Sequence, residues 1–228
     1  MTEQRPLVSA VMPVFNGEAF LVEALESLLA QDYERFEIVV CNDGSTDATA
    51  EILGRYPVIR TISQENRGAA AARNAAIAAS LGELVATFDA DDRWPANRLT
   101  LQADYLAQHP EIGCVMGRQE WMNPPPWLGR YEVYGNLAGS PLLSAMFRRA
   151  VLDEAGGFDT SFTHSEDMDL LVRLRELGVG IAVLPEIVLY RRFHGSNLTA
   201  SAPETSPLLR SLRQKLERER LAPGQVGE

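Results

Sequence analysis

From Leu7 to Met116 the chain repeats one unit: a short apolar run, a polar turn and a segment with helical spacing. That rhythm restricts the fold more than any other feature. Residues 7 to 14 (LVSAVMPV) are an apolar run, and Leu21, Leu25, Leu28 and Leu29 follow at helical spacing after the turn residues Asn16 and Gly17. The run Phe36 to Cys41 is β-branched and apolar, Asn42 to Ser45 is turn chemistry, and Ser45 is placed to cap a helix over Asp47 to Leu53. A third strand is predicted at Val58 to Ile62, an alanine-rich helix at Ala69 to Leu81 closed by Gly82, and a fourth strand at Leu84 to Phe88. Pro95 suits a first helical turn, the helix it opens runs to Gln108, and Ile112 to Met116 reads as a fifth strand. Strands alternating with helices predict an α/β fold on a parallel, doubly wound sheet.

The rhythm stops at Gly117. Residues up to Pro141 carry Trp121, Pro124 to Pro126, Trp127, Tyr131 and Tyr134 without a clear period, which predicts a long loop whose aromatics suit binding. Helices are expected at Arg149 to Ala155 and Ser165 to Leu177, with a turn at Gly156-Gly157 and strands at Ile181 to Leu184 and Ile187 to Phe193. Beyond Ser201, Leu208, Leu209, Leu212 and Leu216 are interleaved with Arg210, Arg213, Lys215, Arg218 and Arg220, the pattern of a terminal amphipathic helix. Such a helix covers the folded domain, pairs across a dimer, or lies on an anionic membrane as a peripheral contact. The chain therefore divides into one domain over residues 1–200, with halves at about 1–116 and 117–200, and a tail over 201–228.

The 228 residues carry 21 Lys and Arg against 31 Asp and Glu, a formal net charge of −10, which excludes a general nucleic-acid binder. Cys41 and Cys114 each lie in an apolar run and read as core residues, not as a disulfide or zinc set. No apolar run approaches the roughly 20 residues that span a bilayer, and Met1 to Pro6 lacks the apolar stretch of a signal peptide. A cytoplasmic protein is expected.

In an open α/β sheet, ligands bind beyond the carboxyl ends of the strands. Those positions hold Pro13 to Asn16, Asn42 to Ser45, and the run Asp89-Ala90-Asp91-Asp92. Ordinary turn chemistry explains the first two as well as a site does. The third is harder to explain that way, because clustered carboxylates repel unless a cation balances them, and Arg93 is the only basic neighbour in sequence. A divalent metal bridging them to a diphosphate resolves the conflict. A second acidic cluster, Glu166, Asp167 and Asp169, follows Ser165; a capping serine and acidic residues in a first helical turn explain it without function. Within it, only Asp167 shares the face of Leu170, Leu171 and Leu174, whereas Glu166 and Asp169 align with Arg173. Asp167 alone is expected to point inward, where burial suits a carboxylate to general-base work.

Taken in order, VSAVMPVFNGEAFLVEALESLLAQ, EIVVCNDGSTDAT, ENRGAAAARNAAI, FDADDRW, GGFD, SEDMDLLVRL and YRRFHGSN resemble the inverting, nucleotide-sugar-dependent glycosyltransferases of family 2, from about Leu7 to Asn197. The resemblance implies a GT-A fold, a Rossmann-like, mostly parallel sheet flanked by helices with an acceptor-side region. It implies that Pro13, Phe15 and Asp43 contact the nucleotide, that Arg73 lies near the base or diphosphate, and that Asp89 holds the ribose or metal shell. It implies also that Asp91 coordinates a divalent cation, Mn or Mg, and that Asp167 is the catalytic base. His194 matches a position that in some relatives helps hold metal or diphosphate. Phe15 stands where tyrosine is common, so ring stacking survives without the hydroxyl. Asn42 stands where many relatives carry aspartate, and either accepts a hydrogen bond. The QxxRW pattern of processive synthases is missing, which favours transfer of a single sugar.

The implied reaction is an in-line displacement on a nucleotide-diphosphate sugar, a UDP-sugar being favoured, by the hydroxyl of a glycan or lipid-linked acceptor. Contacts in the 117–141 stretch are expected to choose sugar and acceptor. Two other readings compete. A nucleotidyltransferase would want a glycine-rich basic loop for a triphosphate, and Asn16-Gly17-Glu18 is acidic. A sugar-nucleotide sensor on a degenerate glycosyltransferase fold would have no need to keep Asp167.

Overall fold

The computed structural model describes residues 5–123 and 141–194. The expected tail helix at 201–228, and Trp127, Tyr131 and Tyr134 of the aromatic stretch, lie outside the described residues.

Among the described residues, seven strands and six α-helices follow one another as β1 (Val8–Val14), α1 (Leu21–Leu29), β2 (Phe36–Asn42), α2 (Thr49–Gly54), β3 (Arg60–Ser63), α3 (Ala69–Ala79), β4 (Leu84–Thr87), α4 (Arg98–Gln108), β5 (Ile112–Trp121), β6 (Met146–Arg148), α5 (Arg149–Ala155), α6 (Glu166–Glu176) and β7 (Gly180–Arg191). They form one sheet in the order β3-β2-β1-β4-β6-β5-β7. The strands β3, β2, β1 and β4 run parallel, as do β5 and β7, but β6 is antiparallel to both β4 and β5. The sheet is thus mostly parallel, as expected, with β6 as its antiparallel member. A three-residue strand is too short to show any period, so the sequence hid it.

The buried strand β1 is apolar apart from Ser9, whose hydroxyl donates to Glu37, because both its faces are covered. Its proline is tolerated for a geometric reason. The Val11 carbonyl accepts from Phe88 on the β4 side and the Val14 carbonyl accepts from Asp43 on the β2 side. Alternation therefore turns Pro13 toward β4, whose pairing with β1 ends at Val11 and Thr87, so its missing N–H breaks no ladder bond. On one sheet face Leu21, Leu25 and Leu28 of α1 pack with Leu99 and Leu106 of α4; on the other Ala70, Ala72 and Ala76 of α3 pack with Leu170 and Leu174 of α6. The alanines let α3 lie close against β1 and β2.

Four boundaries move for identifiable reasons. The helix α2 starts at Thr49 with no side-chain cap, because Ser45 Oγ instead accepts the N–H of Asn16 across the rim. The helix α3 stops at Ala79, and Gly82 serves close packing: a Cβ there would lie 2.6 Å from the Ser9 nitrogen and 2.8 Å from the Leu7 carbonyl. The strand β5 continues past Met116 to Trp121, where its exposed and half-buried positions alternate and the apolar signal fades. The two late strands are one, β7, interrupted where pairing jumps from Leu184 with Gly117 to Ile187 with Arg118. Pro185 and Glu186 are extra residues at that bulge, and β7 is an edge strand, where proline does least harm.

Cys41 and Cys114 are buried free thiols, as expected of core residues. Burial, with Asp43 adding to it, pushes the Cys41 thiol up to about 11, and burial raises Cys114 further. Among the described residues no helix is long and apolar enough to cross a membrane.

Candidate active site

The expected site residues gather at the carboxyl ends of β1, β2 and β4 and at the start of α6. After β1, Phe15 presents a ring that is 51% exposed, while Pro13 behind it is buried in the strand. After β2, Asp43 is buried and its carboxylate accepts from Gln64 Nε2 (2.6 Å) and from the N–H groups of Arg67 (2.9 Å) and Gly68 (2.9 Å). These donors sit at the entry to α3, where Gly68 takes a φ of +89°. Asp43 thus pins the start of α3.

The turn after β4 brings Asp89, Asp91 and Asp92 together, with one oxygen of each lying within 4.8 Å of the others. Burial, and then the charge of Asp89, raise the Asp91 carboxyl above its usual range against the opposing pull of His194. Burial and the Asp91 charge raise Asp92 well above it, against Arg191. Such a donor set fits a hard divalent cation, since added positive charge relieves both the desolvation and the mutual repulsion. Asp89 and Asp91 are the better candidates. Asp92 is buried, accepts the N–H of Arg192 (2.9 Å) and stands 4.0 Å from Arg191 Nε. His194 Nε2 lies 2.9 Å from Asp91 Oδ2, so the imidazole bonds a carboxylate of the acidic turn directly.

The compensating cations are not the one the sequence suggests. Arg93 pairs with Glu23 on α1, away from the aspartates. Arg73 meets Asp89 instead (2.8 Å), although the two are 16 residues apart. The side chain of Arg192 donates to the Asp91 carbonyl (3.0 Å) and to Glu23, and its guanidinium lies over Phe20, whose ring also stacks on His194. The end of β7 is thereby woven into the acidic turn.

Arg73 is also where the second acidic cluster enters. Its other terminal nitrogen reaches Glu166 Oε1 at 3.1 Å. Burial works against its charge, but Asp89 and Glu166 outweigh it and hold the guanidinium above its ordinary pKa. The side chain of Arg73 is 3% exposed and engaged by two protein carboxylates.

Asp167 is turned inward at 8% exposure, as its helical position predicts. It is not alone. Asp169 is fully buried and neutralised by Arg173 one turn on (2.7 Å), so the expectation that only Asp167 points inward is corrected. Glu166 pairs with Arg73 and not with Arg173. Ser165, expected as a cap, has a φ of +71° and makes no side-chain cap bond. The sequence reading missed Arg98 altogether. This fully buried arginine lies over Trp94 (4.0 Å) and donates to the Thr87, Leu143 and Ala145 carbonyls (3.3, 3.2 and 3.2 Å), holding the segment before β6 against the floor of the site.

A model of glycosyl transferase family 2 matches residues 9–158, more than half of the chain. The Escherichia coli UDP-Glc:alpha-D-GlcNAc-diphosphoundecaprenol beta-1,3-glucosyltransferase WfgD is 31% identical over 177 residues, 71% of this chain and 66% of that protein. S. aureus TarS 1–349, solved in complex with UDP-GlcNAc, superposes with a TM-score of 0.75 at 23% identity, covering 91% of this chain and 65% of that one. The mannosyltransferase PcManGT from Pyrobaculum calidifontis, solved with GDP-Man and Mn2+, superposes with a TM-score of 0.69 at 24% identity, covering 97% and 66%. These neighbours share the GT-A fold. The chain spans less than half the length of some curated relatives it matches, 45% of one and 22% of another. The matched model, the shared fold and the order of acidic motifs agree: the chain belongs to glycosyl transferase family 2.

Proposed function

We propose that the protein transfers a single glycosyl residue from a nucleotide-diphosphate sugar, a UDP-sugar by preference, to an acceptor hydroxyl with inversion and with the help of a divalent cation. The observation that carries this reading is the double ion pair of Arg73 to Asp89 and Glu166. It brings a cation-binding carboxylate cluster and a helix bearing an inward carboxylate to the same rim of the sheet.

Phe15 offers its ring to the nucleotide base, beside the buried Pro13, and Asp43 accepts from a base N–H. Asp89, Asp91 and His194 would hold Mn2+ or Mg2+. When bound, such a cation neutralises charge on the departing diphosphate. Asp167 takes the proton from the acceptor hydroxyl as that oxygen attacks the anomeric carbon on the face opposite the leaving group, so configuration inverts in one step. UDP-GlcNAc in TarS and the UDP-Glc named for WfgD support a uridine donor, and Mn2+ in PcManGT supports the metal. The diphosphoundecaprenol-linked acceptor named for WfgD supports a lipid-linked or glycan acceptor here.

The test is calorimetry of UDP with Mn2+ and with chelator, followed by proton NMR of the anomeric linkage in the product. Metal-dependent binding and an inverted anomer are expected. Equal UDP affinity with and without metal, or retention of configuration, would remove the corresponding part of the proposal.

A further inference from the structure

We infer that Arg73 is a positioning residue, the strut that fixes the catalytic base and the metal-binding turn at one separation, and that Arg73 and Asn74 together make α3 the template on which the site is assembled. The inference rests on the proposed transferase reading and adds a role to it.

Both terminal nitrogens of the guanidinium are engaged by protein carboxylates, while its buried Nε has no partner among the described residues. One terminal nitrogen is 2.8 Å from Asp89, the other 3.1 Å from Glu166, and the ring of Phe158 covers the group at 4.9 Å. Asp89 stands two residues before Asp91, and Glu166 one residue before Asp167. A shift of this one side chain therefore displaces a metal-binding turn and a base together.

The next residue grips the loop that leads toward α6. Asn74 Nδ2 donates to the Phe158 carbonyl (2.7 Å), and the Phe158 N–H donates back to Asn74 Oδ1 (2.9 Å). Gly157 before it has a φ of +71°, and a Cβ there would meet Asn74 Oδ1 at 2.8 Å, so the GGF turn is shaped to sit on Asn74. From the other side Arg173 of α6 donates to the carbonyls of Ala155 and Gly157 while pairing with Asp169. The helix α3 is itself seated on the sheet by Ala70, Ala72 and Ala76. Two consecutive residues on a buried helix thus hold three separate motifs, those around Asp89, Phe158 and Glu166.

Only arginine does this well. Its planar fork serves two carboxylates in different directions, whereas a lysine ammonium is a point charge that satisfies one. A misplacement of about 1 Å between reacting groups costs roughly 10²-fold in rate.

The test combines hydrogen exchange with kinetics on the full chain, using Arg73→Lys, Arg73→Met and Glu166→Gln. In Glu166→Gln, exchange at the amides of Phe88 and Asp92 should accelerate although that change lies on α6, while the amides of β3 stay as in wild type. Arg73→Met should loosen both 88–92 and 164–169. It should also lower kcat by roughly 10²-fold with donor KM unchanged, and Arg73→Lys should recover part of that loss. Exchange at Phe88 and Asp92 that ignores Glu166→Gln overturns the strut. So does a rise in donor KM with kcat intact, which would make Arg73 a donor contact. If wild type turns over no nucleotide sugar, the transferase reading fails, and the exchange data alone decide whether the strut exists. Should Arg73→Met not fold, Glu166→Gln decides the exchange question and Arg73→Lys the kinetic one.

Discussion

The two rims of the site are held together in different ways. At the rim proposed for the donor, the loops after β1 and β2 are laced by small polar side chains onto backbone: Asn16 N–H to Ser45 Oγ (2.9 Å), Gly17 N–H to Thr49 Oγ1 (2.8 Å), Thr46 N–H to Asn16 Oδ1 (2.8 Å) and Ala48 N–H to Glu18 Oε2 (2.9 Å). Where α3 meets the acidic turn and α6, carboxylates are held by arginines, with Arg73 on Asp89 and Glu166 and Arg173 on Asp169. The lacing is a set of separate bonds, each partly replaceable by water at the surface. The charge pairs are interdependent, because losing one partner strands a buried ion. Two regions at one end of the sheet are thus held by different interactions.

The contrast can be broken first at Asp169. Asp169→Ala should lower stability in urea by about 3–5 kcal/mol, because Arg173 is left without its buried partner; a loss no larger than that at the donor rim would abolish the distinction. There, Thr49→Val keeps the shape of a buried side chain but orphans the Gly17 N–H, and about 1–3 kcal/mol is expected in the same measurement.

The smallest effect is a rate. Both thiols are buried with raised pKa, Cys41 on β2 and Cys114 on β5 beside β6, so both should resist alkylation near pH 8 unless the fold opens. Asp169→Ala should speed labelling of Cys114 and leave Cys41 at its wild-type rate. Equal acceleration of both would mean that the sheet around β2 and the sheet around β5 open as one unit.

How much of this was legible in the sequence follows the same division. The strands β1, β2 and β4 announce themselves as apolar runs, and the turn residues after them mark the donor rim. The self-repulsion of Asp89, Asp91 and Asp92 pointed to a cation from charge alone, and helical spacing turned Asp167 inward. The partners of these acids were not legible, because Arg73 and Glu166 are 93 residues apart and His194 and Asp91 are 103 apart. No local pattern encodes such pairs. Asp169 is the instructive miss: its place off the leucine stripe suggested exposure, yet its spacing of four from Arg173 was the available signal that a neutralised carboxylate could go under. Ser45 shows the converse error, a good cap in isolation that the tertiary structure uses elsewhere.

The central claim, that Asp167 is the general base of an inverting transfer, is tested most directly by Asp167→Asn assayed for transfer and for UDP binding in Mn2+. The account predicts a fall in turnover of roughly 10²–10⁴-fold, the usual contribution of a general base, with UDP affinity retained. Turnover comparable to wild type at saturating substrates, or loss of UDP affinity in step with activity, would contradict it.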